Sequence, residues 1–95
     1  MQSRDEVIEM VRGGLSLRDC DSKWLKDSNV VLAAVERDGL ELQYAKRWQN
    51  HEYVTQRAVF QNIEAIRYVN NALKYDIVKY MIMRYESQDI MAYFF

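Results

Sequence analysis

The chain has no proline, one cysteine, one histidine and three glycines in 95 residues. The single thiol, Cys20, excludes an internal disulfide framework and fits a reducing compartment, so the expected location is the cytoplasm. No apolar run approaches the length of a membrane span. The opening Met1–Glu6 stretch is charged and lacks the hydrophobic segment of a secretion signal. There is no surplus of one charge either: 13 Lys and Arg stand against 14 Asp and Glu, a net charge of −1, and each half of the chain is close to balance. A nucleic-acid binder ordinarily carries a basic surplus, so the balance weighs against that class, although a folded surface can still segregate its charges. The lack of proline suits short helices joined by glycine and polar turns.

What the chain does have is a repeat of about 24 residues. Adding 24 takes Val30 to Val54, Ala34 to Ala58, Val35 to Val59, Asp38 to Asn62, Leu42 to Ile66 and Tyr44 to Tyr68. A further step reaches Val78, Ile82, Met83, Glu86 and Ile90. Stepping back by 24 or 25 finds Val7, Met10, Val11, Gly14, Leu15 and Leu17. Fixed-period self-similarity is the signature of stacked-repeat folds, which commonly serve as binding surfaces. The 49% apolar fraction places the chain among folded proteins.

Each unit reads as a helix of two to three turns, a glycine or polar break, a shorter second helix and a polar turn. In the second unit Asp27 or Ser28 supplies a cap and Val31, Ala34 and Val35 form one helical face. Asp38-Gly39 ends the helix through a left-handed glycine. A strand hairpin at Asp38-Gly39 is rejected because the flanks are alanine-rich and helically spaced. The first unit repeats this with Val7, Met10, Val11 and Gly13-Gly14. In the third, Asn50 or Thr55 brackets the start, and Gln61-Asn62 replaces the glycine break, asparagine being the next-best left-handed residue. The fourth begins near Tyr75-Asp76 and runs through Val78, Ile82 and Met83. The expected fold is therefore one all-α domain over residues 1–95, a short helical-repeat (α-solenoid-like) array of about four helix-pair units.

The run Leu25-Lys26-Asp27, Val30 to Val35, Gly39, Leu42, Tyr44 and Ala45 resembles the tandem helical repeat catalogued as domain of unknown function 4116. The likeness is good over 25–45, recognisable over 48–69 and weak elsewhere, with Ile63 standing where the repeat carries glycine. It implies an all-helical stacked array and no reaction.

Candidate chemistry is sparse. His51 beside Glu52 has the elements of a general base but reads as a solvated turn residue. Cys20 lies between two aspartates, which oppose thiolate formation, and aligns with the small residue Ala45, so a core role is expected. Asp19, Asp21 and Asp27 lack the glycine and terminal glutamate of a helix-loop-helix calcium site. No catalytic, metal or cofactor residue is assigned. Trp24 and Trp48, one period apart, offer either a stacking ladder for bases or wedges between units, and the wedge is favoured.

The C-terminal end carries Tyr75, Tyr80, Met81, Met83, Tyr85, Ile90, Met91, Tyr93, Phe94 and Phe95, where an array normally needs a polar cap. Aromatic residues and methionine are enriched in interface cores. The sequence therefore points to a non-catalytic protein–protein interaction module, an adaptor or a small inhibitor docking on a larger enzyme in the manner of viral counter-defence proteins. Tyr80, Tyr85, Met91, Tyr93, Phe94 and Phe95 are the expected contacts, either to a partner or in a homodimer. The competing structural reading folds a final helix back over the core. The alternative function is RNA or single-stranded nucleic-acid binding through Arg47, Arg57, Arg67, Lys74, Lys79 and Arg84. No membrane partner is expected.

Overall fold

The structure, a computed structural model, describes residues 3–85. Those residues form helices and turns, with no strand among them. Four α-helices, α1 (Arg4–Arg12), α2 (Ser28–Arg37), α3 (Glu52–Gln61) and α4 (Asn71–Tyr85), alternate with 3₁₀ segments at Leu17–Asp19, Trp24–Lys26, Gly39–Tyr44, Lys46–Trp48 and Ile63–Tyr68. The described residues are all-helical, as the periodicity predicts, and Asp38-Gly39 is no hairpin.

The valine and alanine stripes make the core. Val7 and Val11 of α1, Val30, Val31, Ala34 and Val35 of α2, and Val54, Ala58 and Val59 of α3 are all buried in one cluster. Helix α1 packs on α2 and α2 on α3. Ala34 and Ala58, both buried, leave room for these approaches, while each buried valine contributes roughly 1.5 kcal/mol of transfer free energy. Met10, placed by its spacing on the same stripe of α1, is instead 43% exposed.

Backbone bonds recur at the sequence period. The Val31 and Thr55 amides donate to the Asp27 and His51 carbonyls, the Asp38 and Asn62 amides to Ala34 and Ala58, and the Ala45 and Val69 amides to Leu42 and Ile66. Among the described residues, the segment that follows each of α1, α2 and α3 as the second of a pair is a 3₁₀ turn. Three residues per turn align Gly39, Leu42 and Ala45 on one buried face, and the half-buried Ile63 with the buried Ile66 and Val69 in the next segment.

The helix breaks work differently from the sequence expectation. Among the described glycines only Gly14 has a positive φ, 123°. Helix α2 ends because Asp38 turns to extended backbone (φ −150°, ψ 108°), and its carboxylate accepts the Leu40 amide at 3.0 Å. Asn62 does the same at φ −150°, ψ 115°, accepting the Glu64 amide at 3.0 Å. Asn62 is thus the counterpart of Asp38 as a cap, not a left-handed substitute for Gly39. The cap of α3 is neither Asn50 nor Thr55 but His51, whose Nδ1 accepts the Val54 amide at 3.3 Å. Thr55 is buried and donates its hydroxyl to the His51 carbonyl at 2.8 Å.

Helix α4 departs most. It starts at Asn71, capped by Asn70, whose Oδ1 accepts the Ala72 amide at 2.9 Å, not near Tyr75-Asp76. Ile77 and Met81 face the core, Val78 is half-buried and Met83 is exposed. Gly39 sits where no side chain fits. A Cβ built on it would lie 3.0 Å from the Ala58 carbonyl carbon and closer still to the oxygen. Only glycine permits this approach of the 3₁₀ segment to α3. Ile63 stands in its place 24 residues later.

Trp48 is a wedge between units. Its ring is half-buried against the core, packs edge-on to His51 at 5.1 Å, and its Nε1–H donates to the Leu25 carbonyl at 2.7 Å. Trp48→Phe removes that bond and leaves water to replace the donor at the Leu25 carbonyl. We expect a loss of about 1–2 kcal/mol in urea unfolding. A change under a few tenths of a kcal/mol would refute the wedge role.

Candidate functional site

Two surfaces stand out. The first is a concavity of about 600 Å³ between the turn after Gly39–Tyr44 and the start of α4. Lys46, Arg47, Arg67 and Lys74 line it with Gln49, Asn50, Tyr68, Val69, Asn70 and Asn71, and no carboxylate is in that lining. Its walls are tied together: the Asn70 amide donates to the Gln49 carbonyl at 2.7 Å, and Gln49 Nε2 donates to the Leu42 carbonyl at 3.1 Å. The first turn of α4 opens at Asn71 on the rim, adding the positive end of a helix dipole.

Four basic residues elsewhere pair with acids. Arg4 pairs with Asp27 at 2.8 Å, Arg18 with Asp19 at 3.6 Å, Arg37 with Glu41 at 3.7 Å and Arg57 with Glu36 at 3.8 Å. Among the described residues none lies within 4 Å of a carboxylate for Lys46, Arg47, Arg67 or Lys74. The fold therefore segregates charge that the sequence balances. Of the basic set singled out in sequence, Arg47, Arg67 and Lys74 come together here. Arg57 and Lys79 do not line the concavity, and the Arg84 side chain lies outside what is described. Lys46 and the Asn50, Asn70 and Asn71 amides joined the site without a sequence signal beyond their turn character.

The second surface is the exposed side of α4. Tyr75 is 72% exposed and Met83 69%, while Tyr80, 43% exposed, leans on Phe60 of α3 at 5.5 Å between ring centroids. Of the expected contact residues, only Tyr80 falls within this account. Met91, Tyr93, Phe94 and Phe95, and the side chain of Tyr85, lie outside the described residues.

The remaining candidates are structural. Asp27 caps α2, accepting the Asn29 amide at 2.9 Å while pairing with Arg4; Asp19 and Asp21 are exposed. Among the described residues no group of three His, Cys, Asp or Glu is placed to hold a metal ion. No described helix is long and apolar enough to cross a membrane. Tyr44 and Tyr68 are half-buried on the core.

Cys20 is half-buried on the core and its Sγ donates to the Ser16 carbonyl at 3.5 Å. Burial, and then the charges of Glu41 and Asp19, push its thiol pKa up. The native state therefore favours the neutral thiol, and this contribution to stability is lost as pH rises from the unfolded thiol's pKa through the folded one. Alkylation of Cys20 in the native protein should be slower at pH 8 than in urea, with its pH–rate midpoint shifted upward. Coincident midpoints in native and unfolded protein would contradict this environment.

Compared with models of protein families, with curated proteins and with solved structures, the chain gives no match.

Proposed function

We propose that this protein is a non-catalytic protein–protein interaction module, a short array of stacked helix pairs that presents α4 to a partner inside the cell. The array reading draws on the backbone bonds that recur 24 residues apart, on contacts between neighbouring helices, and on extents of 47 × 23 × 17 Å. It is in keeping with the likeness to the tandem repeat described above. The observation that carries the partner reading is the exposure of Tyr75 and Met83 on a helix whose other side holds the buried Ile77 and Met81. Large aromatic and methionine side chains of this kind serve as interface anchors. An adaptor, or an inhibitor seated on a larger enzyme, has this build.

The test uses tagged wild-type protein and the Tyr75→Ser/Met83→Ser double variant on nuclease-treated host lysate, with light scattering to read the mass of each alone. A stoichiometric protein retained by the wild type should be lost, or weakened about tenfold or more, in the variant. A wild-type dimer that becomes monomeric in the variant would make a second copy the partner. Retention of the same proteins by both, with no change of mass, would overturn the role of α4.

A further inference from the structure

The basic concavity is a separate surface, and nothing in the partner reading accounts for it. Four cations face one hollow, none pairs with a carboxylate among the described residues, and the walls are fixed by the Asn70–Gln49 backbone bond. Like charges gathered without counter-charges repel one another, so the arrangement costs stability unless an anion offsets it. We propose that this concavity binds a single-stranded nucleic acid, with its phosphates against Arg47, Arg67, Lys46 and Lys74 and one base against Tyr68.

The chemistry of the lining selects this ligand. Arginine's planar fork matches phosphate oxygens, and two arginines with two lysines suit successive phosphodiesters better than a single inorganic phosphate. The half-buried Tyr68 supplies a ring for stacking, which every base accepts. The neighbouring asparagines carry both donors and acceptors for base edges. About 600 Å³ admits one or two nucleotides, whereas a duplex cannot enter a hollow of that size. The near-neutral net charge is no obstacle, because the cations act locally within a Debye length of the strand.

The experiment is fluorescence anisotropy of a fluorescein-labelled 12-nucleotide oligouridylate titrated with the full-length protein. Binding should weaken roughly 20- to 50-fold between 50 and 200 mM salt, the slope expected for three or four phosphate contacts on a single strand. Arg47 and Arg67 are exposed, so R47E/R67E should fold, as circular dichroism would verify, and bind about tenfold more weakly or worse, with a shallower salt slope. The charge-matched R12E/K79E should bind within about twofold of wild type, since neither residue lines the concavity. R47Q and R67Q give the same reading if the double reversal unfolds. Tyr68→Leu should weaken binding about fivefold or more with the salt slope retained. Absence of binding at 50 mM salt would overturn the proposal. So would equal losses in R47E/R67E and R12E/K79E, which mark general attraction, and displacement by submillimolar ATP, which marks a free-nucleotide site.

Discussion

Gly39→Ala should be the most damaging single-methyl change in this protein, costing about 3 kcal/mol or more, at the severe end of overpacking. The added Cβ meets the Ala58 carbonyl, which is also the acceptor of the Asn62 amide at 3.0 Å. Backbone cannot rotate away as a side chain can, so α3 must either shift from the Gly39–Tyr44 segment or lose its last turn. The Gly39 amide would move with it, straining the 2.6 Å bond it donates to Gln61 Oε1. For a domain of this size the loss corresponds to a fall in melting temperature of roughly 12–24 °C. The other glycines supply the contrast. At Gly14, φ 123° and open space predict backbone strain alone, about 1 kcal/mol. Gly13 sits at φ −82°, ψ −3°, and its Cβ would find the Glu9 oxygen at 3.4 Å, so alanine there should be neutral or gain about 0.5 kcal/mol. The order Gly39 far above Gly14 above Gly13 is the test. Equal effects at all three would mean that only loss of glycine flexibility matters and that the close approach to α3 does not.

The helices themselves were legible because burial is written into spacing. Val31, Ala34 and Val35, with Ala58 and Val59 one period on, fall on one face by local geometry, and Asp27 precedes such a face as a cap should. Thr55, also buried on that face, reads in sequence as a helix start. Gly39 was visible as special but for the wrong reason: a glycine needed for close approach looks, in sequence, like one needed for left-handed backbone. Only its neighbour 19 positions away, Ala58, distinguishes them. The Asp38–Asn62 correspondence is visible in the 24-residue spacing, but Asp-Gly reads so readily as a stop that asparagine looks like a substitute for the glycine. The phase of helix α4 is not legible, because apolar residues occur around its whole circumference, from Tyr75 and Ile77 through Met81 and Met83, leaving no clear face for periodicity to find. The basic concavity was half legible. Arg47, Arg67 and Lys74 are evident as cations in the sequence, but their convergence depends on a turn meeting a helix start, which the Asn70–Gln49 bond secures.

Glu41→Ala should cost about 3 kcal/mol, because this carboxylate, 6% exposed, ties the second unit to the first. One oxygen accepts the Leu17 amide at 2.7 Å and the other the Ser16 hydroxyl at 3.0 Å. Leu17 begins the 3₁₀ turn Leu17–Asp19, so its amide has no partner within that turn, and Leu17 itself is fully buried. Truncation leaves a buried amide unsatisfied and strands Arg37, whose Nη2 lies 3.7 Å from Glu41 and whose Nε is already buried without a hydrogen-bond partner. Glu41→Gln separates the two contributions. Its amide oxygen can still accept from Leu17 and its NH₂ can donate to the Ser16 oxygen, so only the charge facing Arg37 is lost, at about 1 kcal/mol. In a double-mutant cycle, Ser16→Ala with Glu41→Ala should cost less than the sum of the two by roughly 1 kcal/mol, since the shared bond is removed once. Urea unfolding reads the wild type and all four variants. A Glu41→Ala loss no greater than that of Glu41→Gln would show that the charge, and not the capped Leu17 amide, is what holds α1's turn against the Gly39–Tyr44 segment.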